Sequence, residues 1–192
     1  FGPSVSGSTI DLGAGNDTLA VNGVINNGTI TTGAGTVQKQ TVITLGEGDN
    51  YAILGGVVSS ASITAGAGAD TITISGVMSS SSIALGDTGA NRVNAAGVSA
   101  STITGGTGND SITATSLTGD TLSFSTGGDS LVVADGVTGS SISFGGTAYM
   151  STVGAFVSST VSGAAGADTF LFNVVSGSSI TLGDTGANIV RA

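Results

Sequence analysis

The stretch Ser62–Gly76 reads SITAGAGADTITISG. Ile63 and Ala65 alternate with polar neighbours, and so do Ile72 and Ile74. Alternation with period two sends one set of side chains inward and the other outward, which is the pattern of a half-buried strand. Between the two runs lies GAGAD, Gly66–Asp70, whose glycines admit backbone angles that a Cβ disfavours. The unit therefore reads strand, tight turn, strand, looser turn. Val77 and a serine run follow, and the unit begins again.

Aligned on the first inward residue, the units start at Ile10, Ile30, Ile43, Ile63, Ile83, Ile103, Leu122, Ile142, Val161 and Ile180. All but one of the intervals are 19 or 20 residues. A repeat this regular marks a solenoid, in which each unit touches only its neighbours. The second inward position holds Leu12, Leu45, Leu85, Phe124, Phe144 and Leu182, with smaller residues elsewhere. The second strand offers pairs such as Leu19/Val21, Ile72/Ile74, Leu131/Val133 and Phe170/Phe172. A third apolar column is expected at Val24, Val57, Val77, Val98, Leu117, Val137, Phe156 and Val175. The expected fold is all-β: a single parallel β-solenoid over residues 1–192, with about 19–20 residues per coil and nine to ten coils. A right hand is expected, as for other parallel crossovers. The interval from Ile30 to Ile43 is 13 and contains Gln38, Lys39 and Gln40 where a second strand is due. A shortened, irregular coil is expected near 33–42, either as a tolerated irregularity or as a bulge or contact site carrying the sole lysine.

Composition narrows the function. Of 192 residues, 34 are Gly and one is Pro; 39% are hydrophobic, yet only 4% are aromatic, which suits a thin, uniform core. Charged residues are 8%, so the chain is not of the highly charged disordered class. The net charge is −9, and the basic residues are Lys39, Arg92 and Arg191 alone. Nucleic acid and anionic membrane surfaces need clustered Lys and Arg, so neither is expected as a partner, whereas a cation suits an acidic surface. The lack of Cys and His removes the usual zinc sites, disulfides, thiol chemistry and histidine triads. No run approaches the ~18 apolar residues of a membrane helix, so no membrane insertion is expected. The sole Glu is Glu47, Trp is absent, and no base stands ready to activate a serine, so the chain is not expected to be an enzyme. The opening FGPS carries neither an initiator Met nor a signal peptide, as expected of a mature product or excised fragment.

Seven or eight residues after each anchor comes a turn column: Asp17, Val37, Asn50, Asp70, Asn91, Asp110, Asp129, Tyr149, Asp168 and Asn188. Its best copies are GAGND at 13–17, GAGAD at 66–70, GTGND at 106–110 and AGADTFLF at 165–172. These resemble the nonapeptide G-G-x-G-x-D-x-U-x of the RTX, or haemolysin-type calcium-binding, proteins. That family includes secreted toxins, large adhesins and bacterial surface-layer proteins. The resemblance implies Ca²⁺ held between turns of adjacent coils by backbone carbonyls and the Asp. Here only one turn per coil carries the motif, GDTGAN at 86–91 and 183–188 is one residue longer, and GGTAYM at 145–150 has no acid. The candidate ligands are Asp70, Asp87, Asn91, Asp110 and Asp129, because hard oxygen donors concentrate there. Electrostatics leaves an alternative open. Two carboxylates ~4.8 Å apart repel by about 3–4 kcal/mol at an effective dielectric near 20. The column dilutes its acids with Asn, Val and Tyr, so a hydrogen-bonded Asn/Asp ladder is the other reading.

The residues flanking each anchor, such as Thr29/Thr31, Ser62/Thr64, Thr102/Thr104 and Ser179/Thr181, form outward hydroxyl files. Such files resemble those of ice-binding solenoids; they also suit any exposed strand face. Neither end of the chain shows a polar cap, and the last unit, residues 179–192, stops after its second strand begins. End-to-end self-association is therefore expected, since an uncovered rung exposes core side chains and unpaired backbone groups. The expected function is a structural building block of a bacterial extracellular surface layer, adhesin stalk or fibre. A calcium-rigidified binding module of an RTX-like adhesin, with a cell-surface or matrix partner, is the alternative, and an ice-binding solenoid a lesser one.

Overall fold

The alternating runs become short strands and the glycine-rich stretches become the corners between them. The computed structural model describes residues 4–6, 9–11, 24–26, 29–32, 37–39, 42–86, 88–183 and 185–192, and among these every regular element is a β-strand. The strands pair in parallel and stack as a β-solenoid of about eight turns.

The first-strand column is an eight-stranded sheet that begins at Val42–Thr44 and ends at Ser179–Thr181. Its register aligns Ile43, Ile63, Ile83, Ile103, Leu122, Ile142, Val161 and Ile180. The second and third columns belong to a fourteen-stranded sheet. Its second column aligns Ala52, Ile72, Val93, Ile112, Leu131, Met150, Phe170 and Val190. Like residues stack at about 4.8 Å, so the core runs unbroken along the axis. Phe124 and Phe144 show the result, with ring centroids 4.7 Å apart and planes 8° from parallel.

The register corrects the sequence reading in three places. Ile10 pairs with Ile30, and Ile30 pairs with Ala52, so both lie in line with the second column and not with Ile43. The 13-residue interval thus joins two different columns, and eight aligned anchors remain; residues 33–36 and 40–41 of the expected irregular coil lie outside the described residues. The third column contains Val58 and Met78, both buried, where Val57 and Val77 were expected; those two valines are 38% and 46% exposed. Met78 keeps the even phase of Ile72 and Ile74 and aligns with Val98, whose coil has one residue fewer at this corner. Lastly, in the turn column Ala148 takes the place expected for Tyr149, which faces out, because Asp129 aligns with Ala148, and Val37 lies instead in a short strand paired with Val57.

At the described corners before the first strands the backbone passes through positive φ. Gly119, Gly139 and Gly177 do so at 68°, 61° and 59°, and Ala100 does so at 49°. A Cβ there crowds the following carbonyl, so Ala100→Gly should raise stability by about 0.5–1 kcal/mol once the added freedom of the unfolded chain is subtracted. Equilibrium denaturation measures it.

Candidate functional site

The turn column faces inward. Asn50, Asp70, Asn91, Asp110, Asp129 and Asp168 are all buried. From Asp70 onward each side chain reaches the coil before it. The Asn50 N–H donates to Asp70 Oδ1 at 2.8 Å, and the Asp70 N–H to Asn91 Oδ1 at 2.9 Å. The Asn91 N–H donates to Asp110 Oδ1 at 3.0 Å, and the Asp110 N–H to Asp129 Oδ1 at 2.9 Å. The run pauses at Ala148, which has no side-chain acceptor. It resumes as the Ala148 N–H donates to Asp168 Oδ1 at 3.0 Å and the Asp168 N–H to Asn188 Oδ1 at 2.8 Å. At a glycine-rich corner the amide of this residue has no strand partner, and the Asx oxygen of the next coil supplies one.

The second side-chain atom separates Asn from Asp. The Asn188 Nδ2 donates to the Gly183 carbonyl at 3.1 Å, and the Asn50 Nδ2 to the Gly48 carbonyl at 2.8 Å. The Oδ2 atoms of Asp70, Asp110, Asp129 and Asp168 are buried and have no hydrogen-bond partner. Burial pushes the Asp70 and Asp168 carboxyls up from their ordinary range. Burial also pushes Asp129 up to about 6, with the neighbouring Asp110 adding to the effect.

A second ladder runs along another corner, and the sequence reading did not find it. The Ser81 N–H donates to Ser101 Oγ at 3.1 Å, and the Ser101 N–H to Asp120 Oδ1 at 2.8 Å. The Asp120 N–H donates to Ser140 Oγ, the Ser140 N–H to Ser159 Oγ and the Ser159 N–H to Ser178 Oγ, each at 3.1 Å. The serine hydroxyls donate in turn to a carbonyl two residues back, as Ser101 does to Ser99 at 2.8 Å. Among these described rungs Asp120 is the one carboxylate, and its Oδ2 accepts the Thr118 N–H at 2.7 Å.

Comparison with protein-family models, with curated proteins and with solved structures returns no match.

What the chain can do chemically follows from its geometry. A calcium ion takes about 6–8 oxygen ligands. Of the candidate ligands, Asp70, Asn91, Asp110 and Asp129 lie in the inner ladder, each with Oδ1 already accepting a backbone N–H. Asp87 lies outside the described residues. Among the described residues no three acids stand close enough to share an ion. The Oδ2 of Asp110 packs against Gly105, where a Cβ would come within 2.7 Å of it and 3.1 Å of the Phe124 ring. So oriented, the Oδ1 atoms of these four side chains are committed to backbone amides.

The outward face of the eight-stranded sheet is uncharged. Every outward flanking position from Val42 to Thr181 is Ser or Thr except Val42 and Ala84. Serine alternates irregularly with threonine along this face. A shallow depression beside it is lined by Gly86, Thr104, Gly105 and Ser125.

Proposed function

We propose that the chain is a structural building block of a bacterial extracellular layer, adhesin stalk or fibre, acting as a stiff rod. The observation that carries this reading is where its interactions go. Two side-chain ladders and one unbroken apolar core all join a coil to the next, and the polar groups are spent on stacking, not gathered at a cleft. Eight rungs at ~4.8 Å give a rod on the order of 35 Å long.

Val190 aligns with fully buried Phe170 yet is 41% exposed, and Ile180 and Leu182 are only partly buried. In the proposal a second copy covers this rung. A head-to-tail contact of that kind does not close on itself and grows as a filament. Sedimentation across a concentration series, with and without chelator, should show open-ended growth. A single monomeric species throughout would count against self-assembly of the 192-residue chain.

A further inference from the structure

Among the described residues, nine large apolar side chains are exposed, and six of them project from the outer face of the fourteen-stranded sheet: Tyr51, Val57, Val77, Tyr149, Val174 and Ile189. The first-strand face offers Val42 alone. Apolar exposure of this extent marks a contact surface. The order of residues along the rod points to what covers it.

With rungs counted one to eight from Tyr51, the outward column that begins the second strand runs Tyr51, Thr71, Arg92, Ser111, Ser130, Tyr149, Thr169, Ile189. From either end the order of kinds is the same: a large apolar residue, a threonine, a long side chain that is Arg or Tyr, and a serine. The outward column at the bend between second and third strands repeats this symmetry about the same centre. Val77 on rung two matches Val174 on rung seven, and only the small residues Gly97, Ser116, Gly136 and Ala155 lie between them.

We propose that this face binds a second copy of the chain, rod antiparallel to rod, about a twofold axis that passes between rungs four and five. Such an axis sets the first rung of one copy against the eighth of the other, the second against the seventh, and so inward. Arg92 of one copy then meets Tyr149 of the other, twice per pair, as a cation on an aromatic face. Tyr51 meets Ile189, Val77 meets Val174, and Ser111 meets Ser130.

Charge selects this arrangement. The chain carries a net −9, yet these two columns contain no acid, and Arg92 is one of three cations in the sequence. The Arg92 Nε donates to Asn94 Oδ1 on its own strand at 3.3 Å, which holds the guanidinium on this face. Parallel rods would set Arg92 level with Arg92, whereas antiparallel rods replace that repulsion with a tyrosine ring. Asp135, exposed on rung five beside the bend, meets rung four of the other copy, where residues 111–116 include no acid. Area agrees as well. Eight rungs at ~4.8 Å and about six residues of strand at ~3.3 Å make roughly 700 Å² per copy. A stable protein pair needs about 800 Å² from each partner. The inference does not depend on end-to-end stacking, since separate rods and filaments alike present this face.

Spin labels test it, because the chain has no cysteine of its own. T71C and T169C place labels on rungs two and seven. In the antiparallel pair two T71C chains hold their labels five rungs apart, about 25 Å, and two T169C chains do the same. Mixing the two labelled chains should add a separation of about 10 Å, the spacing of stacked sheets. End-to-end stacking alone keeps like labels a full rod length apart. V77D/V174D should raise the dissociation constant of the pair, read by sedimentation, at least about a hundredfold, since each carboxylate recurs on both sides of the axis. V42D, on the first-strand face, should leave it within about twofold. T71C labels as close to each other as the mixed pair would mean parallel rods, and no separation shorter than a rod length would mean that no second copy covers this face. Either result overturns the proposal. Should V77D/V174D fail to fold, the label distances decide alone.

Discussion

Ile63→Asp should leave the central coils unfolded at neutral pH. Ile63 is 1% exposed and is stacked between Ile43 and Ile83 in the first column. Removing the side chain costs about 2–5 kcal/mol in lost burial and residual cavity, and a carboxylate without a partner adds a further desolvation penalty of several kcal/mol. That sum rivals the whole stability of an ordinary domain, about 5–15 kcal/mol. In a solenoid the damage also severs the stack, because each coil is held only by its neighbours. Thr64→Asp, one residue on and facing outward, should change stability by less than about 1 kcal/mol. Circular dichroism and denaturant titration of the two variants measure the contrast. Equal effects would mean that the inward phase of this strand is wrong.

Gly154→Ala should be nearly as severe for a different reason. A Cβ at Gly154 would fall on the carbonyl oxygen of Asp135 in the preceding coil, a backbone atom that no rotamer change can move. The coils would have to separate, straining the core on both sides, at a cost of at least about 3 kcal/mol. Gly119 makes the control. Its φ is 68° and nothing lies within 4 Å of the place its Cβ would take, so Gly119→Ala carries only the left-handed backbone penalty of about 1–2 kcal/mol. Melting curves that rank Gly119→Ala as the worse substitution would show that coil-to-coil contact at this corner is looser than the structure has it.

Much of the fold could be read from the chain because its physics is periodic. Ile63 and Ile72 lie on inward phases that the register repeats from coil to coil. The sequence misleads where chemical likeness and strand phase disagree. Val77 resembles Val98, but Met78 shares the parity of Ile74 and is the residue buried. At Ile10 and Ile30 the local pattern matches a first strand, and only the pairing with Ala52 places them with the other column.

The candidate site was only half legible. The spacing of Asp70, Asn91, Asp110 and Asp129 located the turn ladder but could not give the direction of the side chains. Direction depends on which backbone amide is left without a strand partner at the corner, as at Asn50 and Asp70. The serine ladder had a signal that went unused: Ser81, Ser101, Asp120, Ser140, Ser159 and Ser178 all stand two residues before an anchor. Serine is common in turns for local reasons, and that commonness concealed the column.

Cryo-electron microscopy of the purified 192-residue chain, with calcium and with chelator, bears most directly on the reading of this protein as a self-stacking structural rod. The account predicts filaments whose ~4.8 Å rung spacing continues across the junction between chains, in both conditions. Separate single rods at every concentration, or particles that gather only through a lateral face, would contradict it.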